Sequence, residues 1–377
     1  MVEERAYWLV WSQVTGIGPV LLSRLQQHFG TLAEAWSSPA MALGEVQGIG
    51  KQLLETIRQA RSQLHPEEFL EQHYLKNRDF WTPADTNYPQ LLREISTLPP
   101  VLYYRGLVNL QENQAIKPTV GIVGTRNPTE YGLRWTRKIS AALAQHGFTV
   151  VSGMAAGIDA EAHRGCLEAG GRTIAVLGSG LDIVYPPRNQ LLYEQIQQQG
   201  LLLSEYPAAT KPNRRHFPQR NRIIAGLSRA LLVMEAPSKS GALITAYQAN
   251  EFCRDVYALP GSLDNPNSLG CLGLLSRGAQ VILSVGHLLE MLGALPEVDL
   301  KDSAVQLSLL SPEQPQSVPD LEPELAQVLQ VLTFEPVLFD VIVQQVDLST
   351  GQVSSALLQL ELLGLVSQLP GMRYRRC

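Results

Sequence analysis

No two of the four cysteines stand close enough in the chain to form a Cys-x-x-Cys pair. This spacing excludes cysteine-ligated structural zinc, and it predicts a reduced, cytoplasmic protein. No uncharged apolar run reaches the ~18 residues typical of a membrane-spanning helix. The first residues, Val2-Glu-Glu-Arg5, lack the positive region that opens a secretory signal peptide. The sequence therefore predicts neither a membrane anchor nor export.

The chain also has no excess of basic residues, because 35 Asp and Glu outnumber 30 Lys and Arg and leave a net charge of −5. Such a balance by itself disfavours nucleic acid as a partner. The charges are nevertheless segregated along the sequence. Residues 302–372 contain nine acidic side chains and no Lys or Arg, whereas residues 206–234 contain six Lys or Arg and no acid. A local basic surface is therefore still expected.

The length of 377 residues and an apolar fraction of 45% predict two or three globular domains. Residues 1–75 form a small helical unit in which two Gly-Ile-Gly turns, at Gly16 and Gly48, separate segments with helical apolar spacing. These turns look like helix-hairpin-helix motifs, whose backbone amides can contact a DNA phosphate. A tight turn used for packing alone is the other interpretation, and the nearby Glu34 and Glu45 favour it.

Prolines and aromatic residues between residues 76 and 114 predict an ordered connector. In residues 115–293, short apolar segments alternate with helical ones. This alternation predicts an α/β fold with a Rossmann-like, doubly wound and mostly parallel sheet. The predicted strands are 119–123, 148–151, 173–177, 201–204, 230–234, 256–259 and 281–283.

The composition changes after residue 293. Residues 294–323 are rich in proline and contain no aromatic residue, which predicts a mobile linker. Residues 324–377 resemble a winged helix, with two helical patterns and then two short strands around Pro370-Gly371. Its basic residues are confined to the last strand: Arg373, Arg375 and Arg376. We expect this unit to contact protein, or its own chain, rather than duplex DNA, because a DNA-reading helix needs positive charge.

Two predicted strands of the central domain end in Gly-rich turns that lead into helices. The first turn is Gly124-Thr125-Arg126, and the second runs from Ser152-Gly153 to Gly157. Backbone N–H groups and the Ser152 hydroxyl can donate to a phosphate there, and Arg126 adds charge at the carboxyl edge of the sheet. A structural ion pair is the alternative for Arg126.

Asp159 and His163 follow the second turn, four residues apart on a predicted helix. A hydrogen-bonded brace for the turn is favoured over a catalytic pair, because no nucleophile is evident beside them. Neither turn carries the dinucleotide G-x-G-x-x-G fingerprint, and the P-loop spacing G-x-x-x-x-G-K-[ST] does not occur in the chain. Cofactors, metals and ATP hydrolysis are therefore not expected.

The stretch from Arg214 to Arg222 carries the strongest nucleic-acid signal. It surrounds Phe217 with basic residues, including Arg220, and also contains Asn221. Single-strand sites combine basic groups for the backbone with an aromatic face that stacks a base. Duplex DNA hides its base faces, so this pattern favours single strands. The alternative is a solvated basic loop that Phe217 anchors. Lys239, Ser240 and Gly241 follow another strand and add donors to the same sheet edge.

Taken together, these motifs resemble the DNA-processing protein A family, DprA, also called Smf. The resemblance covers nearly the whole chain. The matching stretches are Gly-Thr-Arg126, Ser152-Gly-x-Ala-x-Gly-Ile-Asp159, Ala175-Val-Leu-Gly-x-Gly-Leu-Asp182 with Tyr185-Pro186, Ser204-Glu-Tyr-Pro207, Phe217-Pro-x-Arg-Asn-Arg222, Glu235-Ala-x-x-Lys-Ser-Gly241, Thr245-Ala246 and Pro260-Gly261.

The resemblance implies an extended Rossmann domain between a sterile-alpha-motif-like N-terminal domain and a C-terminal winged helix. It implies a dimer that binds single-stranded DNA without sequence specificity or catalysis, and that loads the RecA recombinase in natural transformation. Carried over by motif, the DNA contacts are Gly124, Thr125, Arg126, Ser152, Gly153, Gly157, Arg214, Phe217, Arg220, Asn221, Lys239, Ser240 and Gly241. The implied dimer surface contains Leu263, Leu269, Leu272 and Leu275.

The alternative function is that of a nucleotide-processing hydrolase from the phosphoribohydrolase-like Rossmann group. That group uses a Gly-Gly-x-Gly-Thr turn with a glutamate shortly after it. Here the corresponding stretch is Ser240-Gly-Ala-Leu-Ile-Thr245, and Glu251 comes too late to match. This mismatch and the basic stretch around Phe217 favour binding over hydrolysis.

Overall fold

The computed structural model describes residues 3–293, 323–333, 337–346, 348–363, 365–369 and 373–376. The predicted linker 294–323 lies outside these residues except for Pro323. The chain divides into two compact units, Met1–Glu297 and Val298–Cys377, and each is described by itself. None of the helices in the described part of the chain is long and apolar enough to cross a membrane.

The first unit begins with six helices, α1 to α6, which are Glu4–Ser12, Pro19–Phe29, Leu32–Ser37, Ala40–Leu43, Lys51–Gln63 and Pro66–Lys76. Helices α2 and α5 each start directly after a Gly-Ile-Gly turn. A Cβ atom on Gly16 would lie 3.2 Å from Leu53 of α5, and one on Gly48 would lie 3.0 Å from Leu21 of α2. Each turn therefore packs against the helix that follows the other turn. This reciprocal contact supports the packing interpretation of the two hairpins.

A nine-stranded sheet forms the centre of this unit, in the order β1-β2-β6-β5-β4-β3-β7-β8-β9. The strands are Phe80–Trp81, Leu102–Gly106, Thr119–Val123, Thr149–Ser152, Thr173–Leu177, Leu201–Ser204, Ala230–Val233, Asp255–Ala258 and Gln280–Val281. Strands β3 to β9 are mutually parallel, and β1 and β2 add an antiparallel edge. The segment predicted as a connector thus contributes two strands to the sheet.

Helices cover both faces of the sheet, and the side chains of β3 pack alternately against the two helical layers. The residues of this strand alternate between two cores. Ile122 packs into the core beneath the helices Glu130–Gln145 and Ile158–Glu168, whereas Val123 packs into the core beneath the helices His216–Leu227 and Gly241–Glu251. This alternation confirms the doubly wound fold. Helices α7 to α15 are Gln90–Arg93, Leu110–Asn113, Glu130–Gln145, Ile158–Glu168, Gln190–Gln199, His216–Leu227, Gly241–Glu251, Leu269–Leu275 and Val285–Met291, with a short 3-10 helix at Pro187–Asn189.

The strand order reverses between β3 and β7, because the chain runs from β3 outward to β6 and then returns to β7 on the other side of β3. In open α/β sheets, ligands bind in the crevice at the carboxyl ends of the strands where the order reverses. The turn after β3 contains Arg126, and the loop after β7 contains Lys239. The topology therefore places Arg126 on one side of that crevice and Lys239 on the other.

The second unit is a winged helix, as predicted. Three helices, α16 to α18, pack around Val328, Leu357 and Leu360. Strands β11 and β12 pair antiparallel on either side of the predicted wing turn, and β10 pairs with β12. The helices are Pro323–Val331, Phe339–Gln345 and Thr350–Leu362, and the strands β10 to β12 are Val337–Leu338, Val366–Leu369 and Arg373–Arg376.

Candidate nucleic-acid interface

A groove with a volume of about 610 Å³ opens at the reversal point between β3 and β7. It gathers residues from turns and helices that are far apart in sequence. Ten of the predicted contact residues line it: Gly124, Thr125, Arg126, Arg214, Phe217, Arg220, Asn221, Lys239, Ser240 and Gly241. We use the name groove surface for Arg126, Arg214, Phe217 and Lys239, whose side chains lie at its solvent side.

The three cations of the groove surface, Arg126, Arg214 and Lys239, are exposed. Among the residues that the structure describes, none of them has a carboxylate within 4.0 Å. The ion-pair alternative for Arg126 therefore has no support. The Arg126 guanidinium instead lies 5.3 Å from the centroid of the Phe217 ring. A cation over an aromatic face leaves its donors available to an anion.

The start of α13 forms the opposite side of the groove. Ser240 caps this helix, because its hydroxyl accepts a hydrogen bond from the Ala242 N–H at 3.2 Å. Gly241 is exposed at the first helical position, and the Asn221 side chain donates to its carbonyl at 3.3 Å. The positive end of the α13 dipole therefore adds to the attraction that Lys239 exerts on an anion.

A second aromatic residue, Tyr185, stands beside Phe217, with ring centroids 5.6 Å apart and an interplanar angle of 33°. Tyr185 is 42% exposed and lines the groove. Tyr185 is not among the predicted contact residues. A signal was present, since Tyr185 lies in the loop that follows β5, at the carboxyl edge of the sheet where ligands bind.

The charged and polar residues directly under the groove have a different role, and we call Ser152, Asp159, His163 and Arg220 the buried layer. The Asp159 carboxylate accepts hydrogen bonds from the N–H groups of Ala155, Gly124 and Gly153. Burial raises the pKa of Asp159, although these donors and Arg220 oppose the rise. One amide of the first Gly-rich turn, that of Gly124, and two of the second, those of Gly153 and Ala155, therefore point inward to Asp159.

Ser152 and Gly157 are the clearest corrections to the predicted contacts. The Ser152 hydroxyl is buried and donates to the carbonyl of Ile122 at 2.6 Å, so it is not available to a phosphate. Gly157 has φ of +84°, and a Cβ atom there would lie 2.4 Å from the Thr125 carbonyl oxygen. Glycine is needed at position 157 because the two turns approach each other closely, not because a phosphate does.

Arg220 lines the groove, but only 4% of it is exposed, and its guanidinium donates to the backbone beneath. Its Nη1 donates to the carbonyls of Gly153 at 2.5 Å and of Val176, and its Nε donates to Asn221 Oδ1 at 3.2 Å. Burial lowers the pKa of Arg220 to about 10. A Cβ atom on Gly153 would lie 2.5 Å from Arg220 Nη2. Arg220 therefore supports the second turn, and Gly153 leaves room for its guanidinium.

His163 hydrogen-bonds to Thr173 of β5 and not to Asp159. The Thr173 hydroxyl donates to the Val150 carbonyl at 2.7 Å, so His163 Nδ1 donates to that hydroxyl at 2.6 Å. Among the described residues, His163 Nε2 has no partner. Burial, together with the positive charges of Arg220 and Arg164, lowers the pKa of His163 to about 3. The imidazole is therefore neutral and structural.

Glu235 fixes the turn that carries Arg126. Its carboxylate accepts from the Thr129 N–H at 2.8 Å and the Thr129 hydroxyl at 2.6 Å, and from Asn265 Nδ2 at 3.3 Å. Its carbonyl accepts from the Thr125 N–H at 2.7 Å. A Cβ atom on Gly132 would lie 2.4 Å from Glu235 Oε2, so Gly132 admits the carboxylate to the start of α9.

The four leucines predicted for a dimer surface differ in exposure. Leu263 is 79% exposed and Leu269 is 42% exposed. Leu272 and Leu275 are half-buried, and Leu275 packs against the sheet core. Only the first two have large exposed apolar surfaces available to a second copy.

Residues 79–293, which include the sheet and every residue of the groove, match the family model described as DNA recombination-mediator protein A. The chain belongs to the DprA/Smf family. Residues 312–372 match a second model, the DprA winged helix domain. The DprA/Smf family model begins at residue 79, in agreement with the assignment of β1 and β2 to the central sheet.

Relatives of known sequence or structure agree with this membership. The Smf protein of Synechocystis is 55% identical over 394 residues, 99% of each chain. The Smf protein of Escherichia coli is 37% identical over 78% of this chain and 77% of its own. The DprA structure from Streptococcus pneumoniae aligns with a TM-score of 0.67 at 33% identity, over 76% of this chain and 97% of that one.

A second solved structure, DNA processing protein A from Helicobacter pylori, aligns with a TM-score of 0.51 at 30% identity, over 56% of this chain and 95% of that one. That structure was described for the single-stranded DNA binding mode of the Helicobacter pylori protein.

Proposed function

We propose that this chain binds single-stranded DNA, without sequence specificity, in the groove at the carboxyl ends of β3 and β7. The observation that carries the proposal is the composition of the groove surface: three exposed cations, without a carboxylate partner among the described residues, line the same groove as the half-buried ring of Phe217. Single-strand sites combine these two elements, a basic track for the phosphates and an aromatic platform for a base. The single-strand binding of the Helicobacter pylori relative supports the same assignment.

Fewer residues are proposed to contact the DNA than the sequence predicted. Phosphates bind the side chains of Arg126, Arg214 and Lys239 and the start of α13. In the Gly-rich turns, the N–H groups of Gly124, Gly153 and Ala155 already donate to Asp159, and that of Thr125 donates to the Glu235 carbonyl. Binding proceeds without catalysis. Asp159 and His163, the two residues weighed as a catalytic pair, are both buried and committed to structural hydrogen bonds.

Loading of the RecA recombinase onto the bound strand, during natural transformation, completes the proposed function. Membership of the family supports this part of the proposal. The active form is a homodimer whose apolar contact contains Leu263 and Leu269, the two most exposed of the four predicted leucines.

Fluorescence anisotropy with labelled oligonucleotides across a salt series tests the DNA-binding proposal. Three phosphate contacts correspond to a log–log slope of roughly −2 per groove, and to roughly −4 when one strand crosses both grooves of a dimer. A duplex of the same length should bind more weakly. A salt-independent affinity, or equal affinity for duplex and single strand, would contradict the proposal.

The RecA step needs its own assay. RecA-catalysed ATP hydrolysis on single strands coated with a single-strand-binding protein should start without its usual lag when the full-length chain is added. The paired substitution Leu263→Asp and Leu269→Asp should restore the lag and yield a monomer in sedimentation. A dimer that leaves the lag unchanged would refute the loading role while leaving DNA binding intact.

A further inference from the structure

A second group of cations lies outside the groove, where the loop that precedes α12 meets the end of α6. The loop contributes Lys211 and Arg215, and the last turn of α6 with the residues after it contributes Lys76 and Arg78. We use the name flanking cations for these four residues. All four are exposed, and within the described part of the chain none has a carboxylate within 4.0 Å. None of the functions assigned above uses them.

The two segments that carry the flanking cations contact each other. The backbone N–H of Ala208, in the loop, donates to the side-chain oxygen of Asn77 at 2.8 Å. Asn77 stands between Lys76 and Arg78 in the chain, and all three line one small cavity together with Ala208. At its other end the loop contains Arg214, which lines the groove. The loop therefore joins the groove surface to the end of α6.

Specific contacts fix the conformation of this loop. The Ala209 N–H donates to the Asp182 carboxylate, whose two oxygens each lie 2.9 Å from the nitrogen. Tyr206, at the start of the loop, stacks on His216 of α12, with ring centroids 4.0 Å apart and an interplanar angle of 19°. The backbone under Lys211 and Arg215 is thus held before any ligand arrives, so binding an anion there costs little loop ordering.

The carboxylates of this region leave an excess of positive charge. Asp182 is engaged by the loop backbone, and Asp79 is the other carboxylate in the wall of the small cavity. Glu205, next to Tyr206, is paired with Arg222, with 2.7 Å between Oε2 and Nη2. Four flanking cations therefore face two carboxylates in a chain whose net charge is −5. Such a local excess of one sign attracts ligands of the opposite charge.

The arrangement suits a chain of phosphates better than a single anion or a base. The flanking cations stand on two separate segments and extend the basic surface that begins at Arg214, so an anion with repeated charges can contact all of them in turn. The nearest aromatic ring on the loop, that of Tyr206, is half-buried and already stacked on His216. Contacts to phosphates alone carry no sequence information.

We propose that the flanking cations bind the phosphates of single-stranded DNA where the strand leaves the groove, so that the strand continues across the loop to the end of α6. The proposal rests on the proposed single-strand binding and deepens it, because it assigns a path to the DNA beyond the groove. A short strand fills the groove alone. A longer strand also contacts Lys211, Arg215, Lys76 and Arg78.

The test measures fluorescence anisotropy of labelled oligo-dT of 6 and of 24 nucleotides with the full-length protein across a salt series. The paired substitution Lys76→Gln and Arg78→Gln should leave the affinity for the hexamer unchanged. It should weaken binding of the 24-mer about 5- to 25-fold at about 0.1 M salt and make its log–log slope shallower by about 1.4, because each phosphate contact with a single strand contributes roughly 0.7. Lys211→Gln alone should make the slope for the 24-mer shallower by about 0.7.

Arg134→Gln combined with Lys138→Gln is the matched control. These two cations of α9 are also exposed and also lack a carboxylate within 4.0 Å among the described residues. The control removes the same charge and should leave the binding of both oligonucleotides unchanged.

Three results would overturn the path across the loop. They are an unchanged affinity and slope for the 24-mer in the variant with Lys76→Gln and Arg78→Gln, an equal loss in the control, and a loss on the hexamer as large as that on the 24-mer. If the wild type binds neither oligonucleotide with a salt-dependent affinity, the proposed function itself fails, which separates the two results.

Discussion

Arg126 and Arg220 both approach the ring of Phe217, with guanidinium carbons 5.3 Å and 6.0 Å from its centroid. Arg126 is exposed on the groove surface, whereas Arg220 is 4% exposed in the buried layer. Arg126 has no carboxylate within reach among the described residues, while Arg220 donates to the carbonyl of Gly153 in the second Gly-rich turn and to that of Val176 in β5. The difference teaches that burial, not residue type, decides whether a charge near a phosphate-type turn binds a ligand or maintains the turn.

The largest effect should come from removing the centre of the buried layer. Asp159→Ala removes the acceptor of the Gly124, Gly153 and Ala155 N–H groups, so we expect the free energy of unfolding to fall by about 3 kcal/mol or more. Urea unfolding followed by tryptophan fluorescence measures this change. Asp159→Asn is the matched control, and it should lose less because it keeps one oxygen acceptor. An Asp159→Ala variant as stable as the wild type would show that the turns do not depend on Asp159.

A pair of conservative substitutions separates the two arginines. Arg220→Lys cannot reproduce the hydrogen bonds of a planar guanidinium, so it should lower the free energy of unfolding by about 1–3 kcal/mol. Arg126→Lys keeps the exposed charge and should change stability by less than about 0.5 kcal/mol. Equal losses of stability in Arg220→Lys and Arg126→Lys would contradict the structural role assigned to Arg220 alone.

The buried layer should also make stability depend on pH. The pKa of His163 is about 3 in the folded chain, well below its usual value of 6.5, so the unfolded chain binds one more proton between these values. Its stabilising contribution is complete above pH 6.5 and is lost as the pH falls toward 3. We expect about 2 kcal/mol to be lost between pH 7.5 and 5.

Urea unfolding of the wild type and His163→Gln at several pH values isolates this contribution, because other groups titrate in both proteins. The difference in the free energy of unfolding between the two should change with pH in the direction stated. A pH-independent difference would mean that His163 titrates alike in both states.

The smallest effect should come from the exposed arginines of the second unit. Arg373, Arg375 and Arg376 lie on the last strand of the acidic winged helix. Changing all three to Gln should alter the salt slope of single-strand binding by less than about 0.3, although three phosphate contacts would contribute roughly 2. A loss of slope near 2 in anisotropy would show that the wing, and not only the groove surface, contacts the DNA.

Much of this architecture follows from the sequence. Continuous apolar segments fixed the parallel strands to within two residues, because strands buried on both faces tolerate few polar residues. Arg126 was identifiable because a charged residue directly after such a strand lies at the ligand-binding edge. The sequence did not show that β1 and β2 join the sheet, since short strands between prolines carry little periodic signal.

The sequence pattern did not predict the roles of the residues beneath the groove, and the cause is physical. Ser152 and Arg220 have donors suited to a phosphate, but their acceptors are backbone carbonyls from other strands. A sequence pattern records which donors exist and not which internal acceptors reach them. Tyr185, in contrast, lines the groove although the sequence did not predict it as a contact. Its position beside Phe217 depends on how two distant turns meet.

The salt dependence of single-strand binding by Arg126→Ala tests the central claim most directly. Arg126 is exposed and lacks a carboxylate partner among the described residues, so its removal should weaken binding and make the log–log slope shallower by about 0.7. The free energy of unfolding should stay within about 0.5 kcal/mol of the wild type. An unchanged slope and affinity would contradict the assignment of the groove surface as the DNA site.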